Sequence, residues 1–340
     1  IIRNCNVAEL DIPLKYATKL YNEFAIRHPN AFYLRTRQRG MQNWDGKIKY
    51  ITKTGQFKIG LLPSVYKRCI ELGIKPIIVD MRQSLPKVSK VVTQIGKYKL
   101  RPEQEKAVKS VINNRVGDIP FQIGVLDLTV NFGKTLIMTS LYLSYKKQLK
   151  TLLITNDSDW LNQARDEFKQ YLPGEDITFV QGKVLNWSNF TIGMVQSISR
   201  NMRYYQNELA KIDMVLIDEA DQGGSKQYQN VITRLFNTRV RIGLSGTIYM
   251  SKLAKDKVKN MNLRCFFGDV IAEFKLKDSI KKGYSTKTIV KTVEGKPWFG
   301  NWESDCMSYN EIYDDSITHN KIAWTMALDR LKWNLNQGRY

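Results

Sequence analysis

Two short groups of polar residues in this chain have the composition and spacing of a nucleotide-hydrolysing site. Gly133-Lys134-Thr135 follows an apolar segment that ends near Leu128, and Asp218-Glu219 ends another apolar segment 84 residues after the lysine. A helix amino terminus binds phosphates through backbone N–H groups, a lysine there reaches the β- and γ-phosphates, and a threonine hydroxyl holds Mg²⁺. We expect Asp218 to bind the same Mg²⁺ and Glu219 to orient or deprotonate the attacking water.

The phosphate loop departs from the common pattern G-x-x-x-x-G-K-[ST]. Leu128 stands where the first glycine would be, and Asn131 lies two residues before Gly133. Asparagine tolerates a left-handed backbone better than most residues, so we expect the loop to close and bind ATP through Asn131, Gly133, Lys134 and Thr135. The alternative is a degenerate loop that binds no nucleotide.

A second candidate for nucleotide recognition is Arg101-Pro102-Glu103-Gln104, which lies about 30 residues before the loop and just before a predicted helix. An amide can both donate and accept, so we expect Gln104 to recognise the adenine edge, with Arg101 in the same nucleotide site. Otherwise Gln104 is only a polar residue in the first turn of the helix.

The elements around these groups predict an α/β fold. Short apolar segments without alternation are typical of strands buried on both faces of a parallel sheet. The predicted strands are 124–128, 151–155, 190–195, 214–218 and 241–245, and the helical patterns between them cover 135–147, 159–171 and 231–236. This order predicts a doubly wound parallel sheet with its ligand site at the carboxyl ends of the strands.

Residues 1–95 show the pattern of a small mixed α/β unit. The periodicity and turn residues predict helices over 14–24 and 63–72 and strands over 31–34, 47–51 and 76–79. The polar stretch 82–90 is the predicted linker.

The charge of the chain favours a nucleic-acid partner. The net charge is +21, and residues 1–100 alone carry 19 Lys and Arg against 6 Asp and Glu, which is +13. Such an excess repels itself in a compact state, so an anionic partner is expected, with a merely solvated surface as the alternative.

Several classes of protein are disfavoured. The four cysteines are scattered without a CxxC pair and there are two histidines, so a disulfide framework, a zinc site and histidine-based catalysis are not expected. No apolar run reaches the roughly 20 residues that span a bilayer, and no signal-peptide pattern is present. We therefore expect a cytoplasmic protein without a membrane partner. Because the chain begins at Ile1, a missing or processed start is also expected.

The order of the motifs resembles that of superfamily 2 helicases and translocases. Arg-Pro-x-Gln at 101–104, Asn-Phe-Gly-Lys-Thr at 131–135, Asp-Glu-Ala-Asp at 218–221 and Ser-Gly-Thr at 245–247 resemble motifs Q, I, II and III of that superfamily. The resemblance implies a RecA-like P-loop ATPase that uses ATP and Mg²⁺.

Further residues acquire roles only through this resemblance. Ser245 and Thr247 match the motif that couples the ATP site to strand binding, and Gln163, Gln196 and Ser197 lie in segments that resemble the superfamily's contacts to nucleic acid.

The amino-terminal region narrows the resemblance. Trp44-Asp45-Gly46-Lys47 and Gly60-Leu61-Leu62-Pro63 resemble the accessory domain of phage recombination helicases of the UvsW type. In that setting Tyr33 and Trp44 are candidates for stacking on bases, with a packed core tryptophan as the alternative for Trp44. The implied phosphate-binding residues are Arg35, Arg37, Arg39, Lys47 and Lys49.

The resemblance predicts three parts of the chain. Residues 1–95 are a basic accessory domain, 96–275 the first RecA-like domain, and 276–340 a linker with the beginning of a second domain. Such motors place ATP between two domains, so we expect these 340 residues alone to bind ATP weakly and to hydrolyse it poorly.

The function that this implies is ATP-dependent remodelling of branched DNA, such as forks, Holliday junctions, D-loops and R-loops, in phage recombination, replication or repair. RNA in hybrids and recombination or replication proteins remain open as further partners. Three alternatives stay open as well: an RNA helicase, a nucleic-acid-binding module with an inactive ATPase fold, and a motor subunit that serves a nuclease.

Overall fold

Short strands and three helices build residues 1–95. The strands are β1 (Val7–Glu9), β2 (Ala25–Arg27), β3 (Lys47–Lys49), β4 (Gln56–Lys58) and β5 (Gln94–Ile95), and the helices are α1 (Leu14–Glu23), α2 (Ala31–Arg37) and α3 (Leu62–Glu71). β1 pairs antiparallel with β4, and β2 pairs antiparallel with β3. The predicted helices 14–24 and 63–72 and the strand at 47–51 are confirmed within two residues.

Two predicted strands in this region are wrong. Residues 31–34 form the first turn of α2, where the Leu34 N–H donates to Asn30 O (3.0 Å). The aromatic residues there favoured a strand, but Phe32 is 79% exposed, so they pack against no sheet. Residues 76–79 belong to no strand either; this segment is held through Ile2, whose N–H donates to Val79 O (2.8 Å).

A seven-stranded parallel sheet forms the centre of the following region. Before it come β6 (Tyr98–Lys99), α4 (Pro102–Ile112), β7 (Arg115–Val116) and β8 (Ile119–Pro120). The sheet consists of β9 (Ile123–Leu128), β10 (Thr151–Thr155), β11 (Ile177–Val180), β12 (Phe190–Met194), β13 (Met214–Asp218), β14 (Val240–Ser245) and β15 (Val270–Phe274). Its order is β11-β12-β10-β13-β14-β9-β15, and every neighbouring pair is parallel.

The strand order explains what the sequence predicted and what it missed. The five predicted strands are the five inner ones, whose residues are almost all buried. The two edge strands, β11 and β15, were not predicted because most of their residues are only partly buried and a polar residue interrupts each apolar run, Thr178 in β11 and Glu273 in β15. Since β13, β14 and β9 are neighbours, the loops that follow them meet at one edge of the sheet.

Helices cover the sheet on both faces. They are α5 (Lys134–Ser144), α6 (Ser158–Tyr171), α7 (Val195–Arg200), α8 (Met202–Leu209), α9 (Lys226–Ile232), α10 (Ala254–Phe267) and α11 (Leu276–Lys281), and a further helix is α12 (Lys321–Asn336). Alternate residues of a strand enter different cores: Ile154 faces the core shared with residues 1–95, and Leu153 faces the one under α5 and α6. The predicted helix 231–236 lies five residues too late; α9 ends at Ile232.

The amino-terminal region packs directly on the sheet. Arg241 at the start of β14 is 1% exposed, and its Nη2 donates to Cys5 O (2.8 Å) and to Asn6 Oδ1 (2.7 Å). At Gly60, a Cβ would lie 2.2 Å from Arg264 O, so only glycine permits this contact with α10. Burial of the Arg241 guanidinium lowers its pKa to about 10.

The computed structural model describes residues 1–37, 40–182, 187–249, 254–286 and 321–336. Ile1–Thr286 form one compact unit and Lys287–Tyr340 a second, of which α12 is the described part. Among the described residues, no helix is both long and apolar enough to cross a membrane. Most of the predicted start of a second motor domain, 276–340, lies outside the described residues.

Candidate ATP site and nucleic-acid interface

The loop between β9 and α5 closes through two left-handed residues. Gly133 has φ +83° and precedes Lys134, the first residue of α5, while Asn131 has φ +61°. The predicted left-handed conformation of Asn131 is thus confirmed. The first N–H groups of α5 lack partners within the helix and, with the helix dipole, favour an anion at this point.

Arg101 and Gln104 hold this loop from the side. The Gln104 side chain is buried; its Oε1 accepts from Arg101 N (2.8 Å) and its Nε2 donates to Phe132 O (2.7 Å). Arg101 Nη2 donates to the same carbonyl (2.6 Å). A Cβ at Gly133 would lie 2.6 Å from Gln104 Nε2. The two residues therefore fix the loop that precedes α5, and recognition of adenine by Gln104 stays a prediction.

Lys134 and the two carboxylates come together although they are far apart in sequence. Lys134 Nζ lies 3.0 Å from Glu219 Oε1 and 3.5 Å from Asp218 Oδ1. Asp218 is the last residue of β13, so the strand places it beside the loop that follows the nearby β9. Glu219 has φ +49°, a conformation that costs about 1–2 kcal/mol for an L-residue. Strain of this kind is concentrated at functional sites, and no sequence pattern predicted it here.

Asp218 and Glu219 differ in their environment. The Asp218 side chain is 6% exposed and the Glu219 side chain 45% exposed. Burial raises the pKa of Asp218, and the positive charge of Lys134 opposes that rise. Among the described residues no cluster of three or more His, Cys, Asp and Glu side chains could hold a metal. One carboxylate and one hydroxyl, those of Asp218 and Thr135, fit Mg²⁺ that arrives with substrate phosphates, since this ion keeps several waters and few protein ligands.

Ser245 connects the third motif to the second. Its Oγ donates to Asp221 Oδ1 (3.2 Å) and accepts from Thr247 N (3.2 Å). Ser245 ends β14, the neighbour of β13, which explains the contact. The sequence offered Asp221 only as part of the Asp-Glu-Ala-Asp pattern and did not predict this bond.

The residues expected to touch nucleic acid lie near the same edge of the sheet. Gln196 follows β12 and its Nε2 donates to Asn156 O (3.3 Å), while Asn156 Nδ2 donates to Gln222 Oε1 (2.6 Å). Ser197 Oγ accepts from Gly182 N (3.0 Å). A chain of polar contacts therefore runs from Gln196 to Gln222, the residue after the acidic motif. Sequence analysis missed Asn156 and Gln222 because neither belongs to a predicted motif.

Gln163 stands apart from this chain of contacts. It lies on α6 and is exposed, and its Nε2 donates to Glu167 Oε1 (2.9 Å) one helical turn later. Its predicted contact with nucleic acid stays a prediction.

The predicted phosphate-binding residues of the amino-terminal region fall on two elements. Arg35 and Arg37 lie on α2 and are exposed, as is Lys47 on β3. Lys49 is half-buried; it forms an ion pair with Asp45 (3.2 Å) and lies over the Tyr21 ring (4.5 Å). Lys49 is thus partly neutralised, and Arg39 lies outside the described residues.

The two aromatic candidates differ. Tyr33 on α2 is 52% exposed, and the guanidinium of Arg37 lies 4.8 Å from its ring centre. Trp44 is half-buried; its Nε1 donates to Lys47 O (2.9 Å) and its ring meets His28 edge to face. Tyr33 is therefore the more accessible of the two for stacking on a base.

Comparison with known proteins agrees with this geometry. Residues 97–250 match the protein family described as type III restriction enzyme, res subunit. This range contains the loop, the acidic motif and Ser245, and it leaves out the basic amino-terminal region.

Two viral relatives are similar in sequence. An ATP-dependent DNA helicase, UvsW of enterobacteria phage T4, is 21% identical over 273 residues, which cover 74% of this chain and 51% of UvsW. A protein of Acanthamoeba polyphaga mimivirus named as an ATP-dependent RNA helicase, L396, is 25% identical over 147 residues, which cover 43% of this chain and 27% of L396. The chain thus spans about half or less of the length of these relatives.

The fold has a solved counterpart. The crystal structure of the UvsW helicase from bacteriophage T4 superposes with a TM-score of 0.62 at 20% identity and covers 79% of this chain and 96% of that one. A second UvsW structure gives 0.61 at 21% identity, with 79% and 55% covered. The chain therefore has a fold similar to that of UvsW, and its residues 97–250 match the type III restriction enzyme res-subunit family.

Proposed function

We propose that this chain is the accessory and first motor region of an ATP-dependent DNA helicase or translocase that remodels branched DNA. The observation that carries the proposal is the convergence of Lys134, Asp218 and Glu219 at the amino terminus of α5, with Nζ 3.0 Å from the Glu219 carboxylate. A lysine, a buried carboxylate and an exposed carboxylate in this arrangement are what phosphoryl transfer to water requires.

In the proposed reaction the triphosphate takes the place of the carboxylates as the partner of Lys134. The phosphates accept hydrogen bonds from the loop and from the first turn of α5, and Lys134 Nζ turns toward them. Glu219 is then free to orient the attacking water or accept its proton. Mg²⁺, held by Asp218 and the Thr135 hydroxyl, would supply positive charge beside the β- and γ-phosphate oxygens.

The contact between Ser245 and Asp221 offers a route from this site to the nucleic acid. A movement of Asp221 on hydrolysis would be passed to Ser245 and Thr247, and one of Gln222 to Asn156 and Gln196. Both routes lie at the carboxyl edge of the sheet, where α/β proteins bind their ligands.

We further propose that residues 1–95 form a nucleic-acid-binding accessory domain on the motor domain of residues 96–275. The exposed Arg35, Arg37 and Lys47 give it positive charge suited to phosphates, and Tyr33 gives it an accessible ring. Likeness to the T4 DNA helicase over 74% of the chain favours DNA. The mimivirus relative and the Asp-Glu-Ala-Asp sequence favour RNA as the second candidate.

The ATP site is tested by binding of a fluorescent N-methylanthraniloyl ATP to the chain and to two variants. Lys134→Ala removes a charge-assisted contact of about 1.5–3 kcal/mol, so we expect affinity to fall about 10- to 150-fold. Glu219→Gln should bind ATP within about threefold of the parent, because its role is in water activation, and should abolish the slow turnover expected of the parent chain. Equal binding by the parent and Lys134→Ala would instead support an inactive ATPase fold.

The substrate is tested by fluorescence anisotropy with a labelled four-way DNA junction, a linear DNA duplex and an RNA duplex at several salt concentrations. We expect the junction to bind most tightly, and Arg35→Glu/Arg37→Glu to weaken binding and reduce the salt dependence by about two ions. The matched control is Lys146→Glu/Lys169→Glu, a charge reversal at two other exposed lysines. Tightest binding to the RNA duplex would support the RNA helicase instead.

A further inference from the structure

A cavity of about 600 Å³ lies at the end of the sheet opposite the phosphate loop. Gln122 and Arg239 stand just before the amino ends of β9 and β14, whereas the ATP site lies beyond the carboxyl ends of the same strands. The segment 80–88 forms one wall, and it overlaps the predicted linker 82–90. The opposite wall comes from the ends of α4 and α5 and from β8.

The cavity contains more buried positive charge than its single carboxylate can balance. Arg82 binds Asp80 through Nε and Nη2, both at 2.8 Å, and Arg239 reaches the same carboxylate through Nη1 at 3.3 Å. Their side chains are only 2% and 8% exposed. Lys87 adds a third positive charge at the rim. Burial, together with the charge of Arg82, lowers the pKa of Arg239, so the Arg239 guanidinium is in an environment that favours an added anion.

Three polar atoms of this wall have no hydrogen-bond partner within the described chain. They are Arg82 Nη1, Arg239 Nε and Gln122 Oε1, and all three are buried. Gln122 is 4% exposed and uses its Nε2 on Ile112 O (3.0 Å), which leaves Oε1 as a free acceptor. Buried donors on a charged group are rarely left unpaired, because their desolvation is then uncompensated. The residues of this wall thus carry two unpaired donors and one unpaired acceptor, which lie just behind the lining surface.

The rest of the lining is apolar. It comes from aliphatic and proline side chains and from one tyrosine ring: Leu85, Pro86, Val88, Ile112, Ile119 and Tyr145. A mostly apolar cavity of several hundred Å³ with a few convergent polar groups is the usual form of a small-molecule site.

We propose that this cavity is a second ligand site, separate from the ATP site, for a small anion with an apolar body. The anionic group, a phosphate or a carboxylate, binds beside the Arg82 and Arg239 guanidiniums, whose unpaired Nη1 and Nε turn toward it to donate. When the group is a singly protonated phosphate, its hydroxyl donates to Gln122 Oε1. The apolar body lies against Leu85 and Tyr145. Because the segment 80–88 forms one wall, an occupied site ties this segment to the sheet. The proposal does not depend on the proposed helicase function.

The test uses phenyl phosphate as the probe, with ligand-observed saturation-transfer NMR and isothermal calorimetry. The protein is the full chain carrying Lys134→Ala, so that the phosphate loop does not capture the probe. We expect saturable binding of phenyl phosphate, at least tenfold weaker binding of inorganic phosphate, and no saturable binding of neutral benzyl alcohol. Benzoate in place of phenyl phosphate shows whether a carboxylate serves as well as a phosphate.

Two variants in the segment 80–88 locate the site. Ser84→Trp places a large ring at an exposed lining position, and Lys87→Glu reverses the charge at the rim. Each should weaken phenyl phosphate at least tenfold, whereas Lys90→Glu, an exposed lysine outside the lining, should leave it within twofold. Absence of saturable binding would overturn the proposal, as would equal affinity in Ser84→Trp and the parent. Thermal unfolding of each variant confirms that it is folded.

Discussion

The left-handed conformation of Asn131 allows a direct test of how the phosphate loop works without its usual glycine. Asn131 has φ +61°, and its side chain is exposed two residues before Gly133. If backbone conformation alone matters at this position, Asn131→Gly should preserve ATP binding and Asn131→Val should impair it. Valine is β-branched and is a genuine outlier at positive φ.

The size of the effect follows from the backbone energy. The left-handed region costs an L-residue about 1–2 kcal/mol, and it costs asparagine less because its short side chain can form local hydrogen bonds. In Asn131→Val, this conformational energy opposes closure of the loop on ATP. It corresponds to a loss of about 5- to 30-fold in ATP affinity. Glycine adopts the left-handed conformation without this cost, so the ATP affinity of Asn131→Gly should stay within about threefold of the parent.

Binding of fluorescent ATP to the three proteins measures this difference. Lys146, with φ +54° and an exposed side chain in the turn after α5, provides the control: Lys146→Val carries the same strain elsewhere. We expect it to lower the free energy of unfolding without changing ATP affinity. If Asn131→Gly loses as much affinity as Asn131→Val, the asparagine amide itself contacts the nucleotide and the backbone argument is refuted.

Three further perturbations follow from the structure. Gly133→Ala adds a Cβ at φ +83° and 2.6 Å from Gln104 Nε2, so fluorescent-ATP affinity should fall about 30-fold or more, from the left-handed energy and the displaced amide together. Arg241→Ala removes the donor from three buried acceptors, Cys5 O, Asn6 Oδ1 and Phe266 O, and should lower the free energy of unfolding in urea by about 2–4 kcal/mol, whereas exposed Arg234→Ala should change it by less than about 0.5 kcal/mol. Burial raises the pKa of Asp218, so protons compete with Mg²⁺ for this carboxylate at a higher pH than they would at an exposed aspartate. The Mg²⁺-dependent part of ATP affinity should therefore fall as the pH is lowered through that pKa. Asp218→Asn should abolish this pH dependence.

The inner sheet and the ATP site could be predicted from sequence because the same physical constraint produces both. A strand buried on both faces must be apolar along its whole length, so the run before Asp218 indicated a central strand. Chemistry at the carboxyl end of such a strand needs polar residues immediately after it, as Lys134 after β9 and Ser245 at the end of β14 illustrate. The adjacency of these strands then makes Lys134 and Asp218 neighbours, although 84 residues separate them.

Elements whose environment is set by tertiary packing could not be predicted in this way. Residues 31–34 have the aromatic composition of a strand, but Phe32 and Tyr33 project from a helix into solvent. The sequence suggests either recognition of adenine or a first-turn position for Gln104. The structure confirms the first-turn position, and its hydrogen bonds to Arg101 and Phe132 add a role in fixing the loop. The bond to Arg101 N is local, as in a capping box, but no local pattern contains the bond to the Phe132 carbonyl, which lies 28 residues away.

Arg241 is a residue whose buried environment could not be predicted from the sequence, and it affects how residues 1–95 are attached to the sheet. An arginine at the start of an apolar strand normally indicates a solvent-exposed strand end, yet this one is fully buried and bonded to Cys5 and Asn6. Because these bonds and the close contact at Gly60 join residues 1–95 to β14 and α10, the exposed Arg35 and Arg37 belong to the same compact unit as the ATP site. Nucleic acid bound to α2, as proposed, would therefore lie on the same compact unit as Ser245.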